Sequence, residues 1–245
     1  MRVIVFTSDR YLSLLPDFAY LFNKHWGKDQ SVDILGFAPP NFDLPPNFNF
    51  VSAGAQSDFP PKSFCEPFLP VLEKFEDDVF TVMLDDMFLI APVDHDLVTA
   101  ANEHLKNATA SKVDLFLGAD YQFAAATHFD EKFNVFSQDM DYRTTAAQMM
   151  IRKDYYLKYF DRDTIWQFEV ENTPRSKNDG HNLLVSKHRP IAPWINMIVK
   201  GGWNGKHFMQ MLWSKTGRKF GWNEFQKLDD EEYEIFMKYK NWSPG

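Results

Sequence analysis

Asp85 and Asp86 stand side by side at the end of an apolar run, Val79-Phe80-Thr81-Val82-Met83-Leu84. An ionised carboxylate without a partner is too costly to bury inside a strand. The run must therefore end at Asp85, with both acids at its carboxyl end. In an open α/β sheet that edge is where ligand crevices form. Two hard oxygen donors there suit a divalent cation, Mn²⁺ or Mg²⁺, that shares its coordination with substrate phosphates. A strand-to-loop turn with two solvated acids would produce the same residues.

The elements that would position these acids follow a strand–helix–strand order. Val3 to Phe6 is a first buried strand, closed by Thr7-Ser8-Asp9-Arg10. Leu14, Leu15, Phe18, Phe22, His25 and Trp26 recur at helical spacing, and Pro16 places the start of that helix near Ser13. His25 on its inner face reads as a packed, hydrogen-bonded core histidine. Gly27 ends the helix, and Val32 to Phe37 is a second strand, the opening of a parallel α/β sheet. Phe48 to Val51 reads as a short strand, followed by a small-residue loop, Ser52 to Gln56. The Pro-rich stretch 60–70 delays the next helix to about Val71–Phe75. Beyond the acids, Asp94 is an N-cap, Val113 to Leu117 a strand, and Phe133 to Phe136 part of a hairpin. Ala146 to Ile151 reads as a strand, Asp154 to Phe160 as a short helix, and Ile191 to Val199 as a late strand. Residues 171–182 have the Pro, Asn and Gly content of a mobile loop. Tyr233, Phe236 and Met237 mark an amphipathic C-terminal helix behind the acidic turn 229–232.

Composition narrows the class of partner. The chain has 245 residues, 44% hydrophobic, enough for a sizeable core. A net charge of −8 disfavours a nucleic-acid partner, though not a nucleotide whose phosphates sit on a cation. A single cysteine, Cys65, excludes an intrachain disulfide and a multi-cysteine zinc site. No apolar run reaches membrane-spanning length, so the expectation is a cytoplasmic protein.

Three signatures occur in order. The first is the strand with Thr7-Ser8-Asp9-Arg10-Tyr11 and a helix carrying Phe18, Phe22 and Trp26. The second is Leu84-Asp85-Asp86-Met87-Phe88-Leu89. The third is a strand, a Tyr/Leu helix and Trp166-Gln167-Phe168-Glu169. Together, over residues 1–200, they resemble bacterial and viral nucleotide-sugar-dependent glycosyltransferases of the GT-A fold. The resemblance implies a Rossmann-like, mixed but mostly parallel sheet flanked by helices for residues 1–200. Residues 201–245 would form a C-terminal helical extension on the same domain. It implies nucleotide contacts at Thr7 and Asp9, with Gly54 and Gln56 near the ribose or sugar. Asp85 and Asp86 would be the metal and diphosphate motif, and Glu169 the base that activates an acceptor hydroxyl of a glycan, as in polysaccharide biosynthesis by inversion. Leu84 departs from the pattern, because many relatives carry the first acid of Asp-x-Asp there. A third metal ligand is not placed; His181 and His188 qualify by residue type only.

The chemistry explains why such groups are wanted. Cations clamp charge that develops on a leaving diphosphate, so Arg175, Lys177 and Lys200 are candidates to assist or replace a metal. Asp163, Glu171 and Asp179 rival Glu169 as base. Trp166 fits a core position or a sugar platform. The 171–182 segment is expected to be a lid over the donor. The Trp- and Lys-rich stretch 203–219 suits a helical cap, a homodimer contact or a peripheral membrane contact. Two other functions compete: a nucleotidyltransferase, which would want a Gly-rich basic loop where Thr7–Tyr11 stands, and a non-catalytic carbohydrate-binding or assembly protein that has lost the chemistry.

Overall fold

The computed structural model describes residues 1–118, 126–199, 202–204 and 228–242. In chain order the first elements are β1 (Arg2–Phe6), a 3₁₀ turn (Asp9–Leu14), α1 (Leu15–His25), β2 (Val32–Gly36), β3 (Phe48–Ser52), α2 (Cys65–Lys74), β4 (Val79–Leu84) and β5 (Met87–Leu89). Then come α3 (His95–Lys106), β6 (Lys112–Gly118), β7 (Ala126–His128), β8 (Phe133–Phe136), β9 (Met149–Arg152), α4 (Lys153–Tyr159), α5 (Ile165–Val170) and α6 (Asn172–Ser176). The rest are β10 (Leu183–Ser186), β11 (Trp194–Asn196), β12 (Ile198–Val199), β13 (Gly202–Trp203) and α7 (Asp230–Lys238).

Among the described residues, nine strands form one sheet in the order β3-β2-β1-β4-β9-β6-β10-β8-β7. β3, β2, β1 and β4 are mutually parallel, β9 lies antiparallel between β4 and β6, and β10 runs parallel to β6. The carboxyl ends of β1, β2, β3, β4, β6 and β10 therefore share one edge. Val3, Ile4 and Val5 are fully buried, as expected for a central strand covered on both faces. One apolar layer joins Val3, Val5 and Met83 to Leu15, Phe18, Phe22 and Ala101. The other joins Ile4, Phe6 and Val82 to Phe64, Phe68, Tyr156 and Phe168.

Helix boundaries follow local chemistry. Pro16 occupies the first turn of α1, where no intrahelical N–H is needed, and Gly27 leaves it with φ +116. Asp94 caps α3 by accepting from Leu97 N–H at 3.1 Å. α7 begins with a reciprocal cap between Asp229 and Glu232. It packs on α1: His25 Nε2 lies 2.8 Å from Glu232 Oε1, both buried, and burial lowers the imidazole pKa against the pull of Glu232. Lys238 pairs with Asp17 at 2.7 Å, and Tyr239 stands edge-on to Phe88 at 5.6 Å.

Three expectations are corrected, and one strand, β10, is an element not anticipated. α2 starts at Cys65 rather than near Val71, because Phe68 and Leu72 bury one face while Pro70 stays on the exposed side. β10 has only four residues, Leu-Leu-Val-Ser, too short for a periodic signal, yet it pairs with β6 and β8 inside the sheet. The late strand over 191–199 is divided into β11 and β12. Residues 172–176 are helical, and Asp179 is anchored rather than loose: it accepts from Arg143 (2.8 Å), Tyr155 (3.1 Å) and Tyr159 (2.9 Å). Burial opposes ionisation of Asp179, but these donors, the His181 N–H and the Arg143 charge hold its pKa low. These contacts tie the segment to α4 and to Arg143. The stretch 205–219, like Lys200, lies outside the described residues.

Candidate functional site

β1 and β4 are adjacent and parallel, with Phe6 opposite Leu84, so Thr7 and Asp85 leave the sheet together. The Thr7 hydroxyl donates to Asp85 Oδ2 at 2.5 Å, and both residues are buried. Burial raises the Asp85 carboxyl well above its usual range, and the Asp86 charge raises it further. Burial likewise pushes Asp86 up to about 7. Asp86 Oδ1 is buried without a hydrogen-bond partner among the described residues.

Residues that sequence reasoning missed border the segment that carries this pair. Asp86 O accepts from Met197 N–H at 2.7 Å, and β5 pairs with β11 so that Asn196 stands opposite Met87. Gln148 Nε2 donates to Met87 O at 3.0 Å. Asn196 Oδ1 and Gln148 Oε1 are, like Asp86 Oδ1, buried acceptors without a partner among the described residues. Burial raises the Tyr11 phenol, with further contributions from Asp86 and Asp85, and its ring stacks on Trp242 at 5.4 Å. The C-terminal segment therefore reaches the rim of the acid site. No local signal in the sequence pairs residues 11 and 242, or 148 and 87, because only tertiary packing joins them.

The other expected nucleotide residues converge on the same edge. Asp9 Oδ1 accepts from Ala38 N–H at 2.8 Å, and Asp9 N–H donates to Gln56 Oε1 at 3.0 Å. Gly54, with φ +109, is held by Ser52 Oγ, which accepts its N–H at 3.2 Å. Thr7, Asp9, Gly54, Gln56, Asp85 and Asp86 thus sit on the loops after β1, β3 and β4. Gly36 makes room for Thr7: a Cβ there would lie 2.6 Å from Thr7 Cγ2 and 2.8 Å from Phe50 Cζ. Phe50 can rotate, but the β-branched Thr7 has little freedom at χ1. Gly36→Ala is therefore expected to cost about 1–3 kcal/mol and to break the Thr7–Asp85 bond. A denaturation midpoint equal to wild type would count against this tight packing.

Glu169 sits on α5, whose start is fixed by the reciprocal cap of Thr164 and Gln167 and whose inner face is fixed by buried Phe168. Its Oε1 accepts from Thr145 Oγ1 at 3.0 Å and Ala146 N–H at 2.8 Å. Residues 145–148 enter β9 at the carboxyl edge of β4, and Gln148 of that segment is bonded beside the acids. The fold therefore ties Glu169 to the segment that borders the acid site. Arg175 forms a two-pronged pair with Asp161 at 2.8 and 2.9 Å, and Lys177 pairs with Asp141 at 2.6 Å. Each would have to leave its carboxylate to reach a diphosphate. His181 precedes β10 at the opposite, amino edge, bonded to Ser111 Oγ at 2.7 Å, so it cannot complete a metal site at Asp86. His188 follows β10 at the carboxyl edge, but β6 and β9 separate that strand from β4.

The donor set fits a hard cation in part. No cluster of three His, Cys, Asp or Glu occurs among the described residues. Asp85 and Asp86 offer two carboxylates, one with an orphaned buried oxygen, and phosphate or water oxygens would have to complete the shell.

A sheet in the order 3-2-1-4 with an antiparallel strand beside β4, and an acid pair at the carboxyl edge, defines a GT-A fold. The fold matches that of Staphylococcus aureus TarS, a GT-A glycosyltransferase, at TM-score 0.50 and 13% identity, covering 98% of this chain and 43% of that one. A structure of TarS residues 1–349 aligns at TM-score 0.47 and 11% identity, covering 79% of this chain and 59% of that one. The chain thus spans less than two thirds of either structure, and at 13% identity the likeness to the first shows the fold alone. No protein-family model and no curated protein matches the sequence. Among the described residues no helix is long and apolar enough to cross a membrane.

Proposed function

We propose that the protein is a glycosyltransferase that moves a sugar from a nucleoside-diphosphate donor to an acceptor hydroxyl with inversion. The observation that carries this is the acid pair: buried Asp85 is held by Thr7, and beside it half-buried Asp86 has one buried oxygen, Oδ1, without a partner among the described residues, on the ligand-binding edge of a GT-A sheet. A buried carboxylate oxygen without a protein partner calls for a cation or for a donor group from a ligand.

In this reading Thr7, Asp9, Gly54 and Gln56 border the nucleoside, and Asp85 and Asp86 would be the residues to hold Mn²⁺ or Mg²⁺. Such an ion, when bound, neutralises charge on the departing diphosphate. Glu169 takes the proton from the acceptor hydroxyl. The freed oxygen bonds to the anomeric carbon as the bond from that carbon to the phosphate oxygen breaks, and the electron pair leaves with the nucleoside diphosphate. The hydrogen bonds from Thr145 and Ala146 hold the Glu169 carboxylate in place, which is what a general base requires. Asp179, a rival base, is engaged by Arg143 and two tyrosines.

A thermal-shift screen of UDP-, GDP-, CMP- and dTDP-sugars with and without Mn²⁺ tests the assignment. One nucleotide class is expected to raise the melting temperature only when the cation is present, because a ligand that binds only the folded state stabilises it. No shift with any donor at millimolar concentration would favour the non-catalytic alternative.

A further inference from the structure

Among the described residues Trp166 is the most exposed large hydrophobic side chain, at 64%. This excludes a core role. Its exposure is not that of a frayed end, because the reciprocal cap fixes the start of α5 and Phe168 packs against Phe64, Tyr156 and Phe160 on the inner side. Residues three apart on a helix are surface neighbours, so Trp166 lies beside Glu169. One turn further, Thr173 Oγ1 donates to Glu169 O at 3.0 Å and accepts from Tyr142 N–H at 3.1 Å. Tyr142 is itself 43% exposed. The outer surface therefore carries, in sequence, an indole, a carboxylate, a hydroxyl and a phenol.

We propose that Trp166 is the stacking platform of an acceptor subsite for a neutral sugar ring, with Glu169 at its edge and Tyr142 on the far side. This rests on the glycosyltransferase reading above. A pyranose has a face of C–H groups and a rim of hydroxyls. An exposed indole covers the first, and Glu169, whose Oε1 is held by Thr145 and Ala146, has its other oxygen to accept from the second. Local charge selects against an anionic sugar. Asp163 and Glu169 stand near the platform, while Arg175 is locked on Asp161 and Arg162 lies 3.5 Å from Glu171. Asp161, Asp163, Glu169 and Glu171 outnumber Arg162 and Arg175, so a phosphorylated or uronic-acid ring would meet net negative charge.

The test is retention of the full chain on immobilised oligosaccharides. The panel holds neutral hexose and N-acetylhexosamine oligomers, uronic-acid oligomers and phosphorylated oligomers. Wild type is expected to bind neutral members. Trp166→Ala is expected to bind them about tenfold more weakly, and Trp166→Phe within about threefold of wild type. Melting temperatures should be unchanged, because the side chain is exposed. Equal binding by wild type and Trp166→Ala would overturn the proposal, as would wild-type binding to anionic members alone or to none. Glu169→Gln, measured on the same panel, should still bind. If that variant also transferred sugar as fast as wild type, the base assignment would fail while the platform result stood, which separates the two.

Discussion

Glu169→Gln is expected to lower the rate of sugar transfer by about 10²- to 10⁴-fold and to leave donor binding in place. The substitution is close to isosteric. Thr145 Oγ1 and Ala146 N–H both donate to one oxygen, Oε1, which a glutamine can still offer. The fold should therefore keep its local bonds and lose only the group that accepts the proton. Stopped transfer with an unchanged donor-induced thermal shift is the expected pair of results. Transfer at the wild-type rate would move the base to another residue, with exposed Asp163 the first to examine. Lost donor binding together with lost transfer would instead show that the 145–146 segment shapes the donor site.

The second large effect concerns Asp86. Burial raises its folded pKa to about 7, against an ordinary value near 3.8. The folded state therefore holds a proton that the unfolded state releases. Stability from this group is present in full below about pH 4 and is lost as pH rises through about 7. The expected loss in chelator-treated protein is on the order of 2–4 kcal/mol. Asp86→Asn removes the cost of ionisation, so above pH 7 the variant should melt higher than wild type by roughly 4–12 °C. Below pH 4 the two should converge. The same variant should lose the Mn²⁺-dependent shift with a donor sugar. Comparing the two proteins across pH cancels the titration of all other groups. A variant less stable than wild type at every pH, with the cation response intact, would show that Asp86 is a structural acid and not a ligand.

Both predictions draw on a site that was only partly legible beforehand. The acid pair was readable because charge cannot remain in a buried strand, so Val79–Leu84 had to end where it does. The place of Thr7 and Asp9 just after a strand was readable from the apolar run Val3–Phe6, while their nucleotide role was implied only by the resemblance. Arg175 and Lys177 illustrate the reverse. Their type suggested a diphosphate clamp, but residue type carries no information on which carboxylate a cation meets, and Asp161 and Asp141 meet them here. By residue type Trp166 reads as core more readily than as a sugar platform, yet it is exposed, because α5 is a single short helix of six residues and its apolar pattern alone does not say which side turns inward.

The sequence by itself determined the α/β order, the cap of α3, the acidic first turn of α7, the glycine exit of α1 and the strand end that carries the acids. Each depends on neighbours within a few residues: periodicity, φ preference or the cost of burying charge. The tertiary structure decided the rest. It set β10 inside the sheet, fixed 172–181 through Asp179, joined Glu169 to Thr145 and Ala146, and brought Tyr11, Gln148 and Asn196 around Asp86. Those contacts link residues tens to hundreds of positions apart. They are selected by how two apolar layers pack on one sheet, and no local pattern along the chain encodes that.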